Sequence, residues 1–318
     1  MSEAILVRVE RKRLDAEDVC ILEVRRADGT LLPPFAAGAH VDLKISGFTR
    51  QYSLSNDSRE RDRYVFGILR EPESRGGSIA IHDGLREGDL LEIGAPRNHF
   101  PLAVITGPVL LFAGGIGITP LLCMAEHLSC IGADFQLHYC TRSQKRTGFR
   151  DYIVASGFGG KVEFYHDDGQ AAPRIDLAKV LARPALGAQA YVCGPQGFIS
   201  AVTQTAQTNG WSEQQLHSEH FSAPVDNASG DAFDVVISST GAVIHVPANH
   251  SVVEALAERG IEIPVSCEQG VCGTCLTGVL DGEVEHRDHF LTKADQQTNR
   301  QFMPCCSRAR TARLVLDI

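Results

Sequence analysis

From residue 5 to about 105 the chain alternates short apolar runs with polar turns: ILVRVER, VCILEVRRADGT, AHVDLKI, RQYSLSN, YVFGILRE and DLLEIGAP. Apolar residues at every second position bury one face of a strand and wet the other, and Gly and Asp at the breaks reverse the chain. The pattern predicts an antiparallel β-barrel or sandwich over 1–105, interrupted by one short helix near SIAIHDGL. Past residue 106 the period changes. PVLLFAGG, FQLHYCTRS, KVEFYHDDG and QAYVCGPQG are continuous apolar strands, and TPLLCMAEHLSCIG and FISAVTQTAQTNG read as helices between them. Strands buried on both faces and alternating with helices predict a parallel sheet, so an α/β domain is expected over 106–224. Small and polar residues take over in SAPVDNASGDAF, which places a linker at 225–232. A third domain over 233–318 opens with the hairpin FDVVISSTGAVIHVP, continues with the helix SVVEALAERG and reaches a cysteine-rich loop.

Three domains suit a chain of 318 residues, and a hydrophobic fraction of 43% with 22% charged residues is that of a folded protein throughout. No apolar run has membrane-spanning length and the first residues lack a basic leader with an apolar core, so a cytoplasmic protein is expected. A net charge of −9 argues against nucleic acid and anionic membranes as partners and suits a basic protein partner better. Ten cysteines without an export signal point to metal or redox chemistry more than to a disulfide framework.

The cysteines divide into two groups. Cys20, Cys123, Cys130, Cys140 and Cys193 lie scattered in apolar segments, where a thiol behaves as a small hydrophobe. Cys267, Cys272 and Cys275 form C-x4-C-x2-C, and the pair Cys305 and Cys306 follows after 29 intervening residues. That order is the plant-type spacing for a 2Fe-2S cluster, in which a tight loop wraps three thiolates round the cluster and a distant strand end supplies the fourth. Gly270 and Gly273 permit the tight path and bring backbone N–H groups towards sulfur. A redox dithiol at 272–275 would leave Cys267 and Cys305 idle, and structural zinc would more often pair two CxxC units.

Two further segments have the composition of nucleotide sites. RGGSIAIHDGL, 75–85, places Gly76, Gly77 and Ser78 at the start of a helix, where unpaired donors suit a phosphate. LLFAGGIGITPLLCMAEHL, 110–128, is a strand, a turn carrying Gly114, Gly115 and Gly117, and a helix marked by Thr119 and Pro120. The last glycine of G-x-G-x-x-G is missing, which disfavours an ordinary Rossmann dehydrogenase.

Taken together, CEQGVCGTC with CCSRA, RQYS with GGS, GGIGITP and YVCGPQGF resemble the phthalate dioxygenase reductase family within the ferredoxin reductase superfamily, over nearly the whole chain. The resemblance implies a flavin-binding barrel, an NAD-binding α/β domain and a β-grasp ferredoxin domain, with FMN favoured over FAD by this domain order. It selects Cys305 over Cys306 as fourth cluster ligand beside Cys267, Cys272 and Cys275. It implies Arg50 and Ser78 on the flavin phosphate within Gly76–Ile79, Tyr52 and Ser53 beside Gln51 at the isoalloxazine, and Ile68, Leu69 and Arg70 lining the flavin through backbone atoms. For the nicotinamide it implies the Gly114–Gly117 turn with Thr119, the segment Cys193, Gly194 and Pro195, and Phe221 of SEHF covering the flavin face. Cys193, Phe221 and Ser53 are the residues expected at the reacting atoms. Thr141 and Arg142 fall where such sheets contact the adenosine ribose; CTRSQKR would also suit NADPH, and the resemblance favours NADH.

A nicotinamide gives two electrons as one hydride and a 2Fe-2S centre takes one at a time, so a flavin between them is chemically required. The resemblance therefore implies a monomeric, NADH-dependent reductase component of a Rieske-type oxygenase or demethylase. Rival readings are a reductase serving a ferredoxin, haem or diiron acceptor, and a zinc-stapled nucleotide-binding protein without catalysis. Asp281, Glu283, Glu285 and Asp288 crowd the segment after the third cysteine, and a charged docking patch for the acceptor is a further expectation.

Overall fold

The computed structural model describes residues 4–71, 76–168, 174–221 and 230–318. Arg75 of the glycine turn and residues 225–229 of the expected linker lie outside the described residues. The chain divides into two compact units, Met1–Glu219 and His220–Ile318, so the barrel and the α/β layer expected as separate domains belong to one unit.

The first unit opens with strands β1 (Ile5–Ala16), β2 (Val19–Arg26), β3 (His40–Ile45), β4 (Phe48–Ser53), β5 (Tyr64–Leu69) and β6 (Leu90–Ile93). They form one sheet in the order β4-β3-β6-β1-β2-β5, with every pairing antiparallel. Val7, Val9, Leu22, Val24, Val41, Leu43 and Phe66 alternate inward and form its core. The edges β4 and β5 each pair on one side only, and just beyond β4 the Ser55 N–H donates to the Val65 carbonyl at 2.9 Å while Asn56 Oδ1 accepts from Val65 N–H at 3.0 Å. RQYSLSN is thus a strand only to Ser53; its last three residues close the barrel. The expected helix near SIAIHDGL is an α-helical turn at Gly77–Ile79 that widens into a π-helical turn over Ala80–Gly84.

Strands β7 (Val109–Gly114), β8 (Phe135–Thr141), β9 (Val162–His166), β10 (Gln189–Cys193) and β11 (Leu216–Glu219) form a parallel sheet in the order β11-β10-β7-β8-β9. The helices Ile118–Cys130 and Gln196–Thr208 connect them as the apolar pattern predicted, the first starting one residue before Thr119. This sheet meets the barrel tightly. Ile21, Ala37 and Phe100 pack into its core, and a Cβ at Gly67 of β5 would stand 2.5 Å from the Phe149 ring and 2.7 Å from the Thr119 methyl. Phe149 takes a left-handed backbone (φ 59°), held by its N–H donating to the Asp15 carboxylate at 2.5 Å.

In the second unit, β12 (Phe233–Ile237), β13 (Val243–Val246), β14 (Thr277–Asp281), β16 (Gln301–Phe302) and β18 (Arg313–Asp317) form a mixed sheet in the order β13-β12-β18-β14-β16, and β15 (Val284–Glu285) pairs with β17 (Arg308–Ala309). Ser251 and Glu254 cap the helix Val252–Ala257 reciprocally, and Val252, Ala255 and Leu256 bury against the sheet, giving the β-grasp arrangement. Arg308 ties the unit together. It is 2% exposed, lies over the Phe233 ring at 5.1 Å and donates to the carbonyls of His250, Pro247 and Asp231 at 2.7, 3.0 and 3.1 Å. Removing the guanidinium leaves those carbonyls unpaired, so Arg308→Met is expected to destabilise the second unit by about 2–4 kcal/mol. Urea unfolding followed by circular dichroism should show its transition at lower denaturant, and an unchanged midpoint would refute the clamp.

Candidate redox sites

The four cysteines expected as cluster ligands are brought together in two pairs. The Cys267 and Cys272 side chains hydrogen-bond to each other, as do those of Cys275 and Cys305. The hydrogen bond from Cys267, helped by the Thr274 hydroxyl, draws the Cys272 thiol down to about 5 against the effect of burial, and the same contact pushes Cys267 up. Backbone N–H groups of Gln269 and Val271 face the Cys267 sulfur, that of Thr274 faces Cys272 and that of Gly270 faces Cys305. Among the described residues no three His, Cys, Asp or Glu side chains converge as a mononuclear site requires. Two thiols at each of two positions fit a dinuclear cluster, with two sulfurs for each iron, better than four sulfurs about one zinc.

The loop's path depends on its glycines. Gly270 (φ +70°) and Gly273 (φ +74°) are left-handed, and a Cβ would lie 2.4 Å from Cys306 Sγ at the first and 2.3 Å from the Phe290 ring at the second. Segment 286–290 closes over this loop: His289 N–H donates to the Gly270 carbonyl at 3.0 Å, and the His289 ring stacks on His220 with centroids 4.8 Å apart. Cys306 is buried beside the set.

The expected acidic patch is corrected here. Asp288 is 7% exposed, accepting from Leu291 N–H at 2.8 Å and from the Ser307 hydroxyl at 3.4 Å. Glu285, Glu283 and Asp281 pair with Arg287, Arg310 and Arg313 at 2.9, 3.3 and 3.9 Å. Of the four carboxylates, Asp288 is buried, Glu285 pairs within its own segment, and Glu283 and Asp281 face arginines of neighbouring segments.

In the barrel the glycine turn packs against β4. A Cβ at Gly76 (φ +103°) would stand 2.8 Å from the Phe48 ring, and one at Gly77 would stand 2.7 Å from Arg50 Cγ. Arg50 lies over Phe48 and donates to the Thr49 carbonyl at 2.8 Å, while buried Ser78 Oγ accepts from Glu71 N–H at 3.2 Å. Arg50, Gly77 and Ser78 are therefore brought to one end of the barrel. Burial pushes the Tyr52 phenol up, keeping it neutral, and Ser53 is 5% exposed. Gln51 Nε2 and Ser55 Oγ are buried without a hydrogen-bond partner among the described residues, which is what a polar ring in the β4–β5 seam would satisfy. Ile68 and Leu69 lie on edge strand β5, where the Ile68 carbonyl meets His82 Nε2 at 2.9 Å; Arg70 N–H donates to the Asp18 carbonyl at 2.7 Å and its guanidinium pairs with Asp83 at 2.7 Å. Ile79 ends the α-helical turn.

The strand order of the parallel sheet reverses direction between β7 and β10, and ligands bind such sheets at the carboxyl ends flanking that point. GGIG follows β7 and CGP follows β10, so the topology joins the two motifs. A Cβ at Gly117 would lie 2.2 Å from the Cys193 carbonyl oxygen, and one at Gly114 would meet Phe198, Pro195 and Gly194 at 2.8, 3.0 and 3.3 Å. Gly115 takes φ +55° at the turn, and Thr119 Oγ1 donates to the Ile116 carbonyl at 3.1 Å. Cys193 is fully buried, which with the nearby Glu219 raises its thiol well above the usual range. Thr141 is engaged internally, its hydroxyl sharing hydrogen bonds with Thr147 at 2.8 Å and His166 at 2.9 Å, whereas Arg142 is exposed. Phe221, 38% exposed, lies at the start of the second unit.

Sequence reasoning missed Glu219. Its backbone pairs in register with Cys193, its Oε2 is buried without a partner among the described residues, and burial pushes its carboxyl up to about 8.

A pair of thiols for each of two irons, on one chain with a nucleotide switch point, defines an iron–sulfur oxidoreductase. Residues 235–310 match the family described as 2Fe-2S iron-sulfur cluster binding domain. A vanillate O-demethylase oxidoreductase of a Pseudomonas species is 49% identical over 316 residues, covering 99% of this chain and 100% of that protein. The phthalate dioxygenase reductase of Burkholderia cepacia is 38% identical over 315 residues, covering 98% and 97%. A solved phthalate dioxygenase reductase, described as a modular structure for electron transfer from pyridine nucleotides to [2Fe-2S], aligns with a TM-score of 0.78 at 37% identity, covering 99% of this chain and 98% of its own. The chain belongs to the phthalate dioxygenase reductase family.

Glu219 yields a pH prediction. Its carboxyl is raised from 4.5 to about 8 on folding, so between these values the folded state holds the extra proton and stability falls as pH rises, levelling above 8. Glu219→Gln should remove that decline, and its melting temperature should exceed that of the parent by a margin that grows from pH 5 to 8. A margin independent of pH would refute the raised carboxyl.

Proposed function

We propose that this protein is the reductase component of a two-component Rieske-type aromatic oxygenase or demethylase, a cytoplasmic monomer that takes electrons from NADH and delivers them through FMN and a 2Fe-2S cluster to the oxygenase. The observation that carries the reading is the two-by-two pairing of Cys267 with Cys272 and of Cys275 with Cys305, on a chain that also joins GGIG to CGP. FMN, when bound, accepts two electrons together and releases them singly.

The residues have separable tasks in this reading. Gly77 lets Arg50 and Ser78 hold the flavin phosphate, while Tyr52, Ser53, Gln51 and the backbone of Ile68–Arg70 line the ring. Gly114, Gly117 and Gly194 let backbone meet backbone, so the nicotinamide rests against Cys193–Pro195 with no side chain intervening. Cys193 remains a neutral thiol that shapes the pocket. Glu219 holds a proton at neutral pH, and its loss from Oε2 would place negative charge where the nicotinamide becomes cationic. Thr141 and Arg142 flank the adenosine ribose. The N–H groups of Gln269, Gly270, Val271 and Thr274 stabilise charge on the ligating sulfurs.

The vanillate O-demethylase relative makes an oxygenase acting on a methoxylated aromatic acid the first partner to test. The purified holoprotein should contain iron, acid-labile sulfide and FMN and should reduce cytochrome c with NADH. Cys305→Ser should abolish cytochrome c reduction while NADH oxidation by ferricyanide, which can draw electrons from the flavin, persists. Zinc in place of iron and sulfide would reject the reading.

A further inference from the structure

We infer that the Cys306 thiol is a positioning residue that donates a hydrogen bond to the ligating sulfur of Cys305 and holds the midpoint potential of the cluster up. The inference rests on the functional reading above and extends it to a residue that ligates nothing.

Cys306 is 2% exposed, and its side chain lies within hydrogen-bonding reach of Cys305. It occupies the hollow left by Gly270, where a Cβ would stand 2.4 Å from Cys306 Sγ and 3.0 Å from Asp288 Cα. The thiol has two other polar neighbours, the Met303 carbonyl at 3.7 Å and the Ser307 hydroxyl at 3.8 Å. Ser307 Oγ already donates to the Asp288 carboxylate at 3.4 Å and accepts from Arg287 N–H at 3.2 Å. Once Cys305 is a thiolate it becomes an anionic acceptor, and a charge-assisted bond outcompetes a long contact to a neutral carbonyl. The Ser307–Asp288 link engages the Ser307 hydroxyl, and Cys306 packs in one cluster with Met303, Cys275 and Cys305, which leaves its proton the choice of the Met303 carbonyl or the Cys305 sulfur. Hydrogen bonds to a ligating sulfur withdraw charge from it and ease uptake of an electron.

The test compares the midpoint potentials of the wild-type holoprotein, Cys306→Ala and Cys306→Ser by redox titration read by electron paramagnetic resonance, with Fe–S stretching frequencies by resonance Raman. Cys306→Ala is expected to titrate at a lower potential with stiffer Fe–S stretches, and Cys306→Ser, which keeps a donor, at or above the wild-type value. A wild-type potential in Cys306→Ala overturns the inference. Should Cys306→Ala fail to retain its cluster, Cys306→Ser decides alone: a potential at or above wild type supports the donor, and a fall overturns it. A wild-type chain that binds no 2Fe-2S cluster defeats the functional reading, whereas a bound cluster indifferent to residue 306 defeats only this inference.

Discussion

The second unit is organised around a steric constraint: a nine-residue loop must take left-handed backbone at Glu268 and at two further positions where a side chain would collide, while carrying three thiols. Gly270 and Gly273 hold those two positions, and the space where their side chains would stand is taken by Cys306, Asp288 and Phe290. The 286–290 segment can lie directly on the loop for that reason, and Cys305 completes the second thiol pair. Either glycine replaced by a larger residue would push apart the layers that set the spacing of the sulfurs.

An equivalent economy governs the first unit. Gly67 lets β5 press on Thr119 and Phe149, and Gly117 lets the turn after β7 touch the end of β10. Each contact sets backbone against a neighbour at a distance no side chain tolerates. Together they fix the barrel seam beside the carboxyl end of the sheet, so the two sites of the first unit share one rigid frame.

Much of this was legible in the order of residues because its causes are local. The C-x4-C-x2-C spacing, the strand periods and the glycine turns each act within a few positions. Cys305 was separable from Cys306 only by resemblance, and the paired side chains are consistent with that choice. Glu219 was invisible because its meaning comes from β11 lying beside β10, which strand order alone reveals. Asp288 was misread for the opposite reason: charge was counted along the segment, whereas Leu291 and Ser307 fold over that carboxylate and its acidic neighbours each face an arginine. Ser55 looked like the end of a strand and instead changes partner to close the barrel.

The parallel pairing of β12 with β18 joins residues 234–237 to 313–316, the first strand of the second unit to its last. Such a pairing cannot form while the ribosome still holds the final strand, and contacts so distant along the chain form slowly. Three thiols therefore leave the ribosome before the sheet that will enclose them exists. Until β18 pairs with β12, the loop that carries those thiols lacks the central strand of the sheet beside it.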